Sequence, residues 1–166
     1  MHNSLQILEK NLDLADKLLG LVESAPDELA EQLINDALEN QVAAFDGFGR
    51  EACRVYTANA TDPSKVEAIS FQNLTKAKER VKKLFEADLA AAVPPAEWDA
   101  VCRSFQKRHL LAHRMGVVDA AYLAATHDPQ AVLGRKIKVE QGEVEALGQA
   151  LRTLGAHLVD ALGAKP

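Results

Sequence analysis

The sequence predicts an all-α fold, and three observations support this. Aromatic residues make up only 5% of the 166 residues, whereas Leu, Ala, Glu and Lys are abundant. This composition favours helices over sheets, which prefer β-branched and aromatic side chains. Apolar residues recur at three- and four-residue steps through most of the chain. A hydrophobic content of 48% argues against disorder and is enough for a real core. We therefore predict one domain over 1–166, an up-and-down bundle of five to six helices.

The periodic segments also predict where each helix begins and ends. Pro26 fits the first turn of the second helix, and the loop 70–73 should cap the third. Gly116 is expected to stop the fourth helix, whose buried stripe is predicted to contain Trp98, Val101, Cys102, Phe105, Ala112 and Met115. The segment 133–139 is the only strand-like stretch and is too short to found a sheet. The predicted helices cover 3–22, 27 to about 60, 74–87, 95–115, 117–125 and 141–162.

Charge is distributed unevenly along the chain. The net charge is −5, but residues 1–63 carry 4 basic and 12 acidic side chains, whereas 64–138 carry 13 basic and 8 acidic. Cations cluster in 76–83 and in 103–114. Such runs usually form solvated helix faces, although a local phosphate-binding surface is the functional alternative. The overall acidity argues against broad, non-specific binding of nucleic acid.

Targeting signals and cysteine chemistry are inconspicuous. The first 19 residues have charges throughout and contain neither a signal peptide nor a membrane span. Cys53 and Cys102 lie far apart and form no metal-type pair, so free buried thiols are expected. We therefore expect a cytoplasmic protein that does not associate with membranes.

The segment 106–116 combines a permanent cation with two titratable side chains. Arg108, His109 and His113 fall within six consecutive positions. Arginine holds phosphate with a planar fork, and histidine exchanges protons near neutral pH. A cation for developing negative charge and a base for a hydroxyl are enough to cut RNA without a metal. All three are expected at or beside the buried stripe, where a guanidinium without a partner is costly.

Other interpretations of these residues stay open. His109 and His113 can be half-buried structural histidines. Together with Cys102, at spacings of seven and four, they can also be three zinc ligands, although a fourth ligand and a general-base Glu are missing. An Arg followed four to six positions later by His occurs three times in the chain, so the spacing alone is weak. We predict that the later pair, Arg152 and His157, is surface decoration.

The run from Phe105 to Asp119, followed by Tyr122, resembles the signature of the HEPN family (higher eukaryotes and prokaryotes nucleotide-binding domain). Its ribonuclease members carry Arg, a polar residue, then three to five residues and His. The resemblance spans about 71–162 and is most specific at 105–122, whereas 1–70 match only as generic leading helices. The order of the surrounding segments is also similar: the loop 71–73, a basic helix, a Trp-bearing helix with the motif, Gly116–Asp119, the basic segment 134–139 and a final helix.

The resemblance implies a HEPN-like bundle and a metal-independent endoribonuclease without a cofactor, working as a homodimer with two motifs over one RNA. His113 would be the general base or acid at the attacking 2′-hydroxyl or the leaving 5′-oxygen. Arg108 would orient the scissile phosphate and stabilise its charge. His109, at a position often occupied by Asn, would orient the phosphate or share proton transfer. The products would carry 2′,3′-cyclic phosphate and 5′-hydroxyl ends.

Family context supplies further expectations. Proteins of this kind often act as toxins or in antiviral defence, beside a nucleotidyltransferase-like antitoxin. Other members are inactive, so a non-catalytic RNA-binding, dimerisation or scaffold module is the alternative. Only the enzyme would generate cyclic-phosphate ends. The cations expected to contact RNA are Lys107, Arg103, Arg114, Lys76, Arg80 and Lys83.

Overall fold

The computed structural model describes residues 3–164, and in this part the chain forms six α-helices joined by loops and short 3-10 turns. The 3-10 turns cover Val22–Ser24, Thr57–Asn59, Pro63–Ala68 and Leu89–Ala92. The prediction of an all-α fold with five to six helices is confirmed. The α-helices are α1 (Asn3–Gly20), α2 (Asp27–Val55), α3 (Leu74–Phe85), α4 (Pro95–His113), α5 (Ala120–Thr126) and α6 (Gln141–Gly163).

A core of apolar side chains joins α1, α2 and α6 and extends to α3 and α4. Phe45 of α2 stands edge-on to Phe71 and to Phe105 of α4, with ring centroids 6.0 Å and 6.4 Å away. Phe71 is fully buried because Gly49 leaves room for it: a Cβ atom at this glycine would lie 2.5 Å from the Phe71 ring. The loop before α3 is therefore fixed against α2 and α4.

Helix α4 ends earlier than predicted, and its buried face is rotated. The helix stops at His113 because Met115 and Gly116 adopt left-handed backbone angles, with φ of 54° and 76°. Gly116 is thus part of the stop, as predicted, and its N–H donates to the Leu110 carbonyl at 2.9 Å. Ala112 is exposed and Met115 is 85% exposed, so neither belongs to the buried stripe. The buried residues of α4 are Val101, Ser104, Phe105, Lys107 and Leu110.

The strand-like segment 133–139 forms no sheet but holds the end of α4 in place. It makes one antiparallel bridge, between Val117 and Lys136. The N–H of Ile137 donates to the Gly116 carbonyl at 2.7 Å, and that of Val118 to Arg135 at 2.9 Å. These bonds fix the chain directly after α4.

The prediction that Arg152 is a surface decoration is wrong. Its side chain is only 18% exposed and connects α6 to three carboxylates of α1. Its nitrogens lie 3.2 Å from Glu9, 2.9 Å from Asp13 and 2.8 Å from Asp16. The acids are 136 or more positions away in sequence, so helical periodicity could not reveal them.

None of the helices within residues 3–164 combines the length and the apolar character that crossing a membrane requires.

Candidate functional site

His109 and His113 form an exposed pair on the last two turns of α4. Their ring centroids are 4.7 Å apart and the rings are tilted by 51°. Both side chains are exposed, so the interpretation as half-buried structural histidines is wrong. Among the residues described, neither ring takes part in a hydrogen bond or ion pair. The pair is therefore open to a bound molecule.

Arg108 is held by helix α2, so the guanidinium beside the buried face of α4 has a partner. Its Nε donates to both carboxylate oxygens of Glu39, at 3.1 Å and 3.0 Å, and its Nη2 donates to Oε1 at 2.8 Å. The Arg108 side chain is 15% exposed and that of Glu39 is 46% exposed. Within residues 3–164, Nη1 makes no hydrogen bond, so one edge of the fork is not engaged by the protein.

Arg108 and the histidines point to different sides of α4. At about 100° per residue, Arg108 is roughly 100° from His109 and about 140° from His113. Glu39 lies in a groove of about 1090 Å³ between α2 and the segment 136–140. Helix α2 also contributes three further acids to that groove: Asp27, Glu31 and Asp36. An anion is therefore favoured on the histidine side of α4 rather than in this groove.

An open cleft of about 410 Å³ lies between α3 and α4, and we call it the basic cleft. His109 borders it, so one member of the histidine pair faces two cations of α3, Lys76 and Arg80. Amide and hydroxyl groups complete a surface that can bind a phosphodiester. The cleft is lined by Ser70, Gln72, Asn73, Lys76, Arg80, Phe105, Gln106 and His109.

Asp46 fixes the loop that forms one wall of the basic cleft. Its carboxylate accepts hydrogen bonds from the Phe71 N–H at 2.7 Å and from the Gln72 side chain at 3.3 Å. Arg50 balances its charge at 3.1 Å. Asp46 was not predicted as a site residue, although an acid between the apolar positions Phe45 and Phe48 of α2 is a signal that could have indicated it.

Three of the cations expected to contact RNA share one face of α3. Lys76, Arg80 and Lys83 are four and three residues apart, which keeps them on one side of a helix. All three are exposed. The Arg80 guanidinium is oriented by a 2.8 Å bond from Nη1 to the Ala68 carbonyl. Asn73 caps the helix by accepting the Lys76 N–H at 3.1 Å, as predicted for this loop.

The interpretation of Lys107 as an RNA contact is at odds with its position. The side chain is only 8% exposed. Its Nζ donates to the Lys138 carbonyl at 2.8 Å and lies 2.8 Å from Glu143 Oε1. The ammonium thus joins α4 to the start of α6 and is not available to a phosphate. The stripe was misplaced in the sequence analysis, which is why Lys107 was taken for a surface residue.

Replacing Lys107 is expected to affect stability rather than RNA binding. In Lys107→Met, Glu143 and the Lys138 carbonyl lose their partner. We expect the free energy of unfolding to fall by about 2 kcal/mol, less than for a fully buried pair because Glu143 is partly exposed. Urea unfolding measures this. Lys138→Met, which changes a side chain that is 82% exposed, is the control and should leave the midpoint almost unchanged. Equal midpoints for wild type and Lys107→Met would contradict the structural role.

Arg103 and Arg114 lie apart from the basic cleft. Arg103 lines a small cavity against α6 with Glu97 and Leu147. In the described part of the chain its Nε is buried without a hydrogen-bond partner. Arg114 is 64% exposed beyond the end of α4 and lies 3.4 Å from Asp119. Arg114 is thus the more exposed of the two, whereas Arg103 is partly buried.

The zinc interpretation finds no support among residues 3–164, where no three His, Cys, Asp or Glu side chains are grouped to hold a metal ion. Burial raises the pKa of Cys102 to about 11, which disfavours the thiolate that binds metals. Tyr122 also has a structural role, since its hydroxyl donates to Asp128 at 2.7 Å. Burial is the main cause that raises the pKa of this hydroxyl, and the hydrogen bond to Asp128 is the second.

Neither the family models, nor the curated proteins, nor the solved structures contain a match to this chain. None of these comparisons supports the resemblance to the HEPN family that the sequence analysis describes.

Proposed function

We propose that this protein is a metal-independent endoribonuclease of HEPN type that cleaves RNA at the histidine pair. The observation that carries the proposal is an exposed pair of adjacent imidazoles, one of which, His109, borders the basic cleft. His109 lines the cleft with Lys76 and Arg80, and its ring lies 4.7 Å from that of His113. Phosphate-binding cations and groups that transfer protons near neutral pH thus share one surface.

The chemistry requires one proton to be removed and another to be supplied. A base takes the proton of the ribose 2′-hydroxyl, whose oxygen attacks the adjacent phosphorus. The bond to the 5′-oxygen breaks, and an acid protonates this leaving group. The products are a 2′,3′-cyclic phosphate and a 5′-hydroxyl. His113 acts as one of these groups, and His109 orients the phosphate or shares the proton transfer.

Arg108 supplies positive charge for the pentacoordinate phosphorane. Its Nη1 edge is not used by Glu39 and can donate to a phosphate oxygen. Because Arg108 and His113 point about 140° apart on one helix, a second copy that brings two motifs together over one RNA is part of the proposal. We further propose that the ribonuclease acts as a toxin or in antiviral defence, beside a nucleotidyltransferase-like antitoxin.

The cations of the basic cleft are expected to set RNA affinity without taking part in the chemistry. A plot of log binding constant against log salt concentration has a negative slope, and the double change Lys76→Ala with Arg80→Ala should make this slope shallower by about 1.4, since each phosphate contact on a single strand contributes roughly −0.7. Fluorescence anisotropy with labelled RNA measures the slope. Lys82→Ala, on another face of α3, is the matched control. An unchanged slope in the double variant would place RNA elsewhere.

The alternative is a non-catalytic RNA-binding or scaffold module, and one experiment separates the two. Purified wild type is incubated in EDTA with total RNA and with a matched oligonucleotide that carries 2′-deoxy sugars. The enzyme cleaves RNA and leaves the deoxy substrate intact, because the attacking hydroxyl is missing. Binding of both substrates without cleavage would support the module and contradict the ribonuclease.

A further inference from the structure

Helix α1 carries a second apolar stripe that the bundle does not cover. Ile7, Leu14 and Leu21 are 55%, 49% and 54% exposed. They are seven residues apart, so each lies about 20° from the previous one: Ile7 and Leu14 lie on α1, and Leu21 directly follows its last residue, Gly20. We call them the α1 stripe. The core face of α1, formed by Leu8, Leu12, Ala15 and Leu19, is separate from it.

The spacing within the α1 stripe is that of a two-stranded coiled coil. Asn11 and Leu18, both partly buried, lie between its members, which gives alternating steps of four and three residues from Ile7 to Leu21; Leu18 also packs against the core. In parallel pairs of helices, one polar Asn in such a series commonly fixes the register by meeting its own copy. The pattern favours a second copy of this chain over an unrelated partner.

The neighbouring helix provides the space that a second α1 would occupy. Ile7 and Asn11 line a shallow groove whose other wall on α2 consists largely of small residues, Ala43, Ala44 and Gly47. A Cβ atom at Gly47 would meet nothing within 4 Å. Side chains of another α1 can therefore approach closely beside the α1 stripe.

Charge determines the orientation of the two copies. Lys10 and Lys17 flank the stripe on the side away from α2, and within residues 3–164 neither forms an ion pair. In an antiparallel two-fold pair, the side of α1 that carries the two lysines would face the same side of the second copy, so Lys10 would meet Lys17 of that copy. In a parallel pair, the side of α1 that carries Lys10 and Lys17 instead faces α2 of the second copy. Ile7 lies beside residues 43–47 of α2, and both helices rise 1.5 Å per residue. Lys17, ten residues further along α1, therefore lies at the same height as Asp36 of α2.

We infer that this chain forms a parallel two-fold homodimer through the α1 stripe, with Lys17 of each copy facing Asp36 of the other. The face is about 27 Å long, from 18 residues, and roughly 20 Å wide for two helices. An interface on the order of 500 Å² per copy belongs to the weak class, so the dimer depends on concentration. It contains none of the proposed site residues, so it is a contact between copies separate from the one that the proposed function places over RNA.

Sedimentation velocity on the full chain over a range of concentrations tests the inference. The experiment is run without RNA, so that the contact between two motifs over RNA does not contribute. Wild type should shift from monomer to dimer, and Leu14→Glu should remain monomeric with an unchanged helical circular dichroism spectrum. Leu133→Glu, at an equally exposed leucine outside the stripe, is the matched control and should still dimerise. A wild type that stays monomeric, or a dimer that Leu14→Glu does not weaken, would overturn the inference.

The sign of a charge change tests the orientation. Lys17→Glu should weaken the dimer several-fold, and the second change Asp36→Lys in the same chain should restore it. In an antiparallel pair Lys17→Glu would instead face Lys10 of the second copy. Tighter association of Lys17→Glu than of wild type would therefore overturn the parallel arrangement.

Discussion

Replacing His113 by Ala is expected to lower the rate of RNA cleavage by about 100-fold or more, because general acid–base groups typically contribute factors of 10² to 10⁴. The side chain is exposed and, among the described residues, forms no hydrogen bond or ion pair; its ring packs against that of His109. The fold and the affinity for RNA should therefore remain close to those of wild type. Single-turnover cleavage of a labelled RNA, together with anisotropy binding, separates the two effects.

His127 offers a control for His113. It is exposed at the end of α5 and has a left-handed φ of 48°, which Asn tolerates well. His127→Asn should cleave RNA at the wild-type rate. If His113→Ala retained the wild-type rate while its purity excluded a contaminating nuclease, His113 would have no part in the chemistry.

Arg108→Ala is expected to reduce the rate of RNA cleavage by about 100-fold, the usual effect of removing one group that stabilises developing charge.

Glu39→Gln is expected to increase the affinity for RNA. A Gln side chain keeps hydrogen-bonding oxygen beside the guanidinium but removes a charge that competes with phosphate. At about 1 kcal/mol for one charge near 4 Å in water, RNA affinity should rise roughly fivefold. Anisotropy measures the affinity and single-turnover assays measure the rate.

Asp36→Asn is the matched control for Glu39→Gln. Asp36 lies in the same groove of α2 but accepts a hydrogen bond from Gln32 rather than from Arg108. Its neutralisation should change RNA affinity much less. If Glu39→Gln weakened binding and slowed cleavage as strongly as Arg108→Ala, Glu39 would position the arginine instead of competing for it.

The local sequence pattern was sufficient to predict the positions of the helices, but it was not sufficient to predict which residues the charged side chains contact. Apolar periodicity, Asn73 and Gly116 predicted the helices and two of their ends, because these signals lie within a few residues of the feature. The face of α4 was misplaced because Ala112 and Met115 were counted as apolar positions of a longer helix. With Lys107 buried and Ala112 exposed, the true face is turned towards α6.

The candidate site depends on contacts that the sequence does not contain locally. Arg108 meets Glu39 from 69 positions away, and Lys107 meets Glu143 from 36 positions away. Both follow from how α2 and α6 pack on α4, which periodicity does not specify. The basic cleft was partly anticipated, since Lys76 and Arg80 were expected to contact RNA. That His109 would face them required the positions of α3 and α4.

The chemistry of the RNA ends tests the proposed ribonuclease most directly. Purified wild type and His113→Ala are incubated with tRNA and total RNA in EDTA, and the new ends are identified by mass spectrometry. The proposal predicts 2′,3′-cyclic phosphate and 5′-hydroxyl ends with wild type and intact RNA with His113→Ala. Ends that carry 3′-hydroxyl and 5′-phosphate groups, or RNA that is bound but uncut by folded wild type, would contradict it.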